Sequence, residues 1–306
     1  MNKLTAKTKK RLLTNVTGYV LILPLLVGLV IFTIYPLLVS LFNSFFLNYD
    51  GFSSYSEFTF GFGNYLKAFT GYESKIFWKS MGITFSYAAI MVPLGMVLSF
   101  VVALFLNQKL RGIGAFRLLY YIPCLIPAIV GAMVYRYIFN PSYGLMNTIF
   151  AALGLPSSKF FDSPDYRAVV TYMFMNLFGV GGSMLIWLAG LKAVPAAYYE
   201  ACRIEGGGYF YSLFRITIPL CTPYIFYLLI TNVISTLQIC GNVYMISSSG
   251  GVDNNLLFFG LYIYRTFMAN NFGYSSALAY LLFIVIGLLS VLLFRFNKYV
   301  YYEGDD

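Results

Sequence analysis

A chain of 306 residues in which 59% are hydrophobic and 10% charged, with a mean hydropathy of +0.75, is no ordinary soluble domain. The net charge of +9 would suggest nucleic acid in a soluble protein, but here the cations sit at the ends of apolar runs. Membrane topology accounts for them, so the expected partner is a lipid bilayer and not nucleic acid.

Residues Lys3 to Arg11 hold five of the twenty basic residues, and Leu12 to Tyr49 follow without a charge. The apolar part, about Gly18 to Phe42, is too long for a signal-peptide core and has no small-residue cleavage site after it, so it reads as a retained transmembrane helix. Asp50 to Lys79 is then a polar connector rich in aromatic residues. Five more charge-free windows are long enough to span: Ser80 to Gln108, Leu118 to Tyr135, Ala168 to Leu191, Ile216 to Val252 and Thr266 to Phe294. Between them, Leu145 to Leu155 is too short to cross and is assigned to the outer interface. Leu256 to Tyr264 is also too short, and either lies on the outer surface or re-enters partway.

The expected fold is therefore an all-α polytopic membrane protein of six transmembrane helices. Residues 1–16 form an N-terminal tail, 17–297 the transmembrane domain and 298–306 a C-terminal tail. With the N-terminus inside, thirteen of the twenty Lys and Arg residues fall on the inner side. That bias places both tails in the cytoplasm.

The same count puts the segment Leu191 to Pro223 in the cytoplasm. Pro195 suits the first turn of a helix, Ala196 to Glu205 are mostly good helix formers, and Gly206-Gly207-Gly208 ends the run before a second short helical stretch, Tyr209 to Ile216. A first helix of about ten residues is roughly 15 Å long, too short to span, so it should lie against a partner. Read as a plain solvated loop, its Glu200 and Arg203 would form an ordinary helix-surface pair.

The chain offers no energy source of its own. The charge-free cores hold no titratable carboxylate or amine, there is no histidine, and no Gly-Lys pair exists to form a phosphate-binding loop. No triad, zinc cluster or pocketed carboxylate pair supports an enzyme reading; Asp162 and Asp165 sit in a polar loop, and no catalytic residue, metal site or bound cofactor is expected. The four cysteines, Cys124, Cys202, Cys221 and Cys240, show no metal spacing and read as free thiols. If the protein drives transport, another subunit must supply the energy; otherwise it is an ion-independent facilitator or channel that works alone.

Glu200-Ala201-Cys202, then Glu205-Gly206, then Ile216 and Ile218-Pro219, resembles the EAA signature of binding-protein-dependent ABC importer permeases, which runs Glu-Ala-Ala, three residues to Gly, and on to Ile-x-Leu-Pro. Cys202 stands for the usual second Ala, Glu205 for Asp and Gly207 for Ala. Further pieces are similar to the sugar-type branch of the family from about Tyr19 to Phe296. They include Tyr35-Pro36, Leu110-Arg111-Gly112, Tyr121-Ile122-Pro123, Phe139-Asn140-Pro141, Gly250-Gly251 and Phe272-Gly273-Tyr274.

The resemblance implies a type I importer permease fold whose segment of about 192–219 is a coupling helix, with Glu200, Ala201, Cys202, Glu205, Gly206 and Pro219 docking a cytoplasmic ATPase. It implies a second homologous permease, two ABC ATPase subunits that bind ATP and Mg, an extracytoplasmic solute-binding protein, a sugar or oligosaccharide as cargo, and the plasma membrane of a bacterium or archaeon. In the family the solute site lies in the fourth and fifth spans. Here those spans offer Asn176, Gly179 and Gly182 in one and Ser235, Gln238 and Asn242 in the other. Amides at membrane depth must be paired, so each of these also reads as helix-packing glue.

Overall fold

The computed structural model describes residues 19–108 and 111–295. The two tails, and Lys109 and Leu110, lie outside the described residues. Among those described, the secondary structure is helical, with one isolated antiparallel bridge between Phe46 and Phe60.

Three helices are long and apolar enough to cross a membrane unbroken: α1 (Tyr19–Ser44), α3 (Gly71–Leu106) and the last, Phe272–Arg295. The short α2 (Gly63–Phe69) precedes α3. At 36 residues α3 is about 54 Å long, well beyond a hydrocarbon core of about 30 Å. It begins at Gly71, well ahead of the charge-free window that opens at Ser80, so Glu73, Lys75 and Lys79 lie on its first turns.

The other three predicted spans are bent pairs. Helices α4 (Ile113–Leu125) and α5 (Ala128–Ile138) meet at 93°, so the third window is an elbow and not a straight crossing. The cause is local. Pro127 disfavours the helical region for the residue before it, and Ile126 is extended at φ −73°, ψ 127°. After α6 (Leu145–Ala152), α7 (Arg167–Asn176) continues through a 3₁₀ turn, Leu177–Gly179, into α8 (Gly181–Ala193) with a 44° bend. Then come α9 (Ala196–Ile204), α10 (Tyr209–Leu220) and α11 (Thr222–Leu237), the last two bent by 64° between Pro219 and Pro223. The helix breaks at Gln238–Cys240 and again after α12 (Gly241–Ile246), so the fifth window ends well short of Val252 as a span. Helices α13 (Phe259–Met268) and α14 (Phe272–Arg295) close the fold.

Two buried clusters hold it together. The larger surrounds Tyr172, Phe258 and Phe259, and packs α3, α7, α13 and α14. Leu256, Leu257, Phe258 and Leu261 are fully buried in it, so Leu256 to Tyr264 dips into protein and does not lie on an outer surface. Irregular backbone at that point is satisfied by side chains: the Phe259 N–H donates to Thr84 Oγ1 at 2.8 Å. The smaller cluster gathers Leu106, Trp187, Leu188, Leu191, Cys221 and Leu228 at the far end of α3. Trp187 Nε1–H donates to Ser99 Oγ at 3.1 Å within it. Outside the clusters, α1 and the flanks of α4, α5 and α14 expose long rows of Leu, Ile, Val and Phe, as a lipid-facing surface requires.

Candidate functional site

The Glu200 segment is built from its own sequence. Pro195, extended at ψ 137°, caps α9 and is not its first helical residue. The helix ends in a Schellman turn: the Gly206 N–H donates to Arg203 O at 3.1 Å and the Gly207 N–H to Cys202 O at 2.8 Å. That turn needs a left-handed residue, and Gly206 supplies it at φ +82°. A methyl group at 207 would overlap Cys202 Sγ and stand 3.0 Å from Cys202 O. The two departures from the usual Ala are therefore one feature: the larger Cys202 fills the space that Gly207 vacates.

Around that turn the polar and apolar groups separate. Glu200, Ala201 and Glu205 are exposed, while Cys202 is buried. Ile204 is 87% exposed, and Tyr198, Tyr209, Phe210, Tyr211 and Phe214 lie open beside it. Arg203 makes no ion pair with Glu200 among the described residues, so the ordinary surface pair is absent. Tyr199 OH and Thr217 Oγ1, 3.0 Å apart, tie α9 back to α10, and Pro219 sits at the 64° bend into α11. A cavity of about 330 Å³ lies behind the segment, between Leu104, Asn107, Tyr199, Cys202 and Leu213. Arg117 closes the end of α3 nearby, donating to Leu106 O at 2.7 Å.

A second cavity of about 270 Å³ opens between α3, α7, α8, α11 and α12. Asn176, Gly179, Ser235 and Asn242 all line it, so four of the six residues proposed for the solute pathway are brought together; Gly182 and Gln238 are not in its wall. Tyr87, Tyr172, Ser183, Asn232 and Thr236 line it too, and sequence reading missed them. The signal available was helical spacing: Tyr172 precedes Asn176 by four residues, as Asn232 precedes Thr236, which places each pair on one face. No charged side chain lines the cavity. A more apolar hollow of about 580 Å³ at the α4–α5 elbow shares Asn176, Gly179 and Asn242 with it.

At the opposite end of α3, Tyr262 OH donates to Glu73 Oε2 at 2.7 Å and meets Tyr274 OH at 3.0 Å. Lys67 Nζ lies 4.7 Å from the centre of the Tyr274 ring and donates to Asn48 Oδ1. These contacts join α2, α3, α13 and α14. No cluster of metal-ligating side chains occurs among the described residues.

No family model matches the chain. It is 33% identical to the probable ABC transporter permease protein YesP of Bacillus subtilis over 300 residues, which covers 95% of this chain and 94% of that one. It is 29% identical to the trehalose/maltose transport system permease protein MalF of Thermococcus litoralis, covering 97% and 98%. A chain in the crystal structure of a bacterial alginate ABC transporter, in complex with an alginate pentasaccharide-bound periplasmic protein, superposes with a TM-score of 0.83 over 97% of this chain and 99% of its own, at 18% identity.

Proposed function

The chain belongs to the permease subunits of carbohydrate-type ABC importers, and from that premise we propose that it carries a sugar or oligosaccharide inward, driven by ATP that partner subunits hydrolyse. The observation that supports this most is the Glu200 segment: a short helix closed by a left-handed glycine, presenting two carboxylates beside a largely exposed apolar patch. Such a patch on a membrane protein, too short to span and rimmed by charge, is suited to docking another protein.

In this reading Glu200, Ala201, Cys202, Glu205 and Gly206 form the coupling helix seated in an ATPase subunit, and Pro219 with the 64° bend passes its movement to α11. Because α11 carries Asn232 and Ser235 into the second cavity, that movement reshapes the cavity walls. Asn176, Gly179, Ser235 and Asn242 contribute this chain's side of the solute pathway; a second, homologous permease supplies the other. A solute-binding protein delivers cargo at the end of the bundle carrying Glu73 and Tyr262, both tails lie in the cytoplasm, and ATP and Mg belong to the two ATPase subunits.

The test is to tag the protein, extract it gently from its native membrane and identify its companions by mass spectrometry. An ATPase with a phosphate-binding loop, together with a second permease, is the expected outcome. A homo-oligomer that passes sugar across liposomes without ATP would replace this reading with that of a facilitator.

A further inference from the structure

Helix α9 is joined to the rest of the chain by soft links. The extended pair Val194 and Pro195 precedes it, and the turn Gly206-Gly207-Gly208 follows it. Its one buried residue, Cys202, faces that same turn. Among the described residues a single side-chain hydrogen bond runs from α9 to another element, and Tyr199 makes it. The half-buried Tyr199 also packs against the cluster around Leu106 and Trp187. A displacement of α9 thus has one side-chain route into the bundle.

That route leads to the bend between α10 and α11. Thr217 is buried at the end of the π-helical turn Leu213–Thr217, and its hydroxyl donates to Ser212 O at 3.3 Å. A carbonyl only accepts and a hydroxyl has one proton, so across the 3.0 Å between them Tyr199 O–H is the donor and Thr217 Oγ1 the acceptor. Thr217 O in turn accepts from the Cys221 N–H at 3.0 Å, and Cys221, fully buried, caps α11. One residue therefore holds α9 through its side chain and α11 through its backbone. Around it the backbone bonding is thin: Pro219 has no N–H, and the Ile218 N–H reaches back five residues to Leu213 O. The cavity of about 330 Å³ behind α9 is lined by both Tyr199 and Thr217, so α9 has room to shift once their bond is broken.

We infer that Tyr199 and Thr217 are positioning residues for coupling: their hydrogen bond makes the bend follow α9, so that α11 and the cavity wall it carries respond when nucleotide drives α9. Without the bond, α9 moves into the cavity behind it and α11 stays where it is. Neither residue touches the reacting atoms or the solute; both act through α11. The inference rests on the proposal that α9 seats in an ATPase subunit.

The experiment uses the full chain purified from its membrane with its companion subunits. Ser235→Cys places a reporter thiol on α11 in the wall of the second cavity. Its alkylation by a small maleimide is followed by mass spectrometry at that position, without nucleotide and with MgATP and vanadate. The expected result is a rate change of about ten-fold or more between the two conditions, the scale of a switch between a minor and a dominant state. Tyr199→Phe and Thr217→Val should each cut that change to about two-fold or less, Thr217→Ser should keep it, and the double variant should be no worse than either single one. The ATPase should co-purify with every variant, because the exposed face of α9 is untouched. A parent-like rate change in Tyr199→Phe and Thr217→Val, a response in Thr217→Ser as weak as in Thr217→Val, or loss of the ATPase from the variants overturns the inference and leaves α9 as the docking helix. A parent thiol that reacts alike in both conditions while the ATPase co-purifies overturns the route through α11 and the inference with it. A parent that brings no ATPase overturns the docking reading itself.

Discussion

The two ends of α3 differ in composition and in what holds them: Gly71 to Lys79 carries Glu73, Lys75 and Lys79, whereas Leu94 to Leu106 carries no charge. Near Gly71 the chain is stitched by buried polar groups into the larger aromatic core. Asn64 is fully buried, and its Nδ2 donates to Ser44 O and Phe46 O at 3.0 and 2.8 Å while its Oδ1 accepts from the Asn48 N–H. Gly273 packs so tightly there that a side chain would collide with Phe46 O. Near Leu106 the core is smaller, a cavity lies under the surface helix, and the path to α11 runs through a π-helical turn, a proline and a 64° bend. Dense packing with satisfied polar groups resists rearrangement, whereas a bent, cavity-backed element has somewhere to go. The Leu106 end is therefore the one free to move.

The largest effect should come from breaking the stitched end. Asn64→Ala takes the Asn64 partner from Ser44 O and the Asn48 N–H, and leaves Phe46 O only the Tyr49 N–H, so it should destabilise the protein by about 3 kcal/mol or more, seen as failure to purify a folded chain or a steep fall in Tm. Next is Gly206→Pro. Proline cannot adopt φ +82° and lacks the N–H that reaches Arg203 O, so transport should fall by more than ten-fold while membrane insertion, assayed by extraction, is kept. A wild-type uptake rate would separate the turn from coupling. Gly207→Ala should cost about 1–2 kcal/mol by crowding Cys202, and adding Cys202→Ala should recover most of it. Additive effects in that double-mutant cycle would show that the two positions are independent.

These comparisons also mark what a reader of the sequence could and could not see. The spans were legible because lipid demands long charge-free runs, and the turn was legible because Gly206 and the spacing to Pro219 leave a residue-level trace. The start of α3 was not, since hydropathy reports where lipid ends and not where a helix does. Pro123, Ile126 and Pro127 are visible in the sequence, but only tertiary packing decides whether such a pair yields a kink or a 93° elbow. Leu256 to Tyr264 has the composition of a surface-lying helix; its burial depends on neighbours brought from α3 and α14. Asn176 and Asn242 stand out as amides in apolar runs. Tyr172 did not stand out, because one tyrosine among 28 carries no mark of its place in the cavity wall.

The smallest expected effect is at the surface of the stitched end. Ser53 Oγ–H donates to Asp50 at 2.7 Å, and the backbone N–H groups of Ser53 and Phe52 donate at 2.9 and 3.0 Å. These bonds favour the charged form and hold the Asp50 carboxyl below its ordinary value of 3.8, the Ser53 hydroxyl contributing most. A depressed folded-state value means that the stabilisation is complete above the unfolded value and is lost as pH falls through the folded one. The loop should thus loosen only below about pH 3.8, and Asp50→Asn should remove that acid step from proteolysis measured against pH.

The most direct test of the central claim, that the Glu200 end meets the energy-supplying subunit and the Glu73 end does not, is photo-crosslinking in native membranes. Benzoylphenylalanine is placed either at Ile204, 87% exposed, or at Tyr72, 75% exposed. The expected result is an adduct between position 204 and an ATPase subunit, and none from position 72. An ATPase adduct from position 72, or from neither while the ATPase co-purifies, would contradict it.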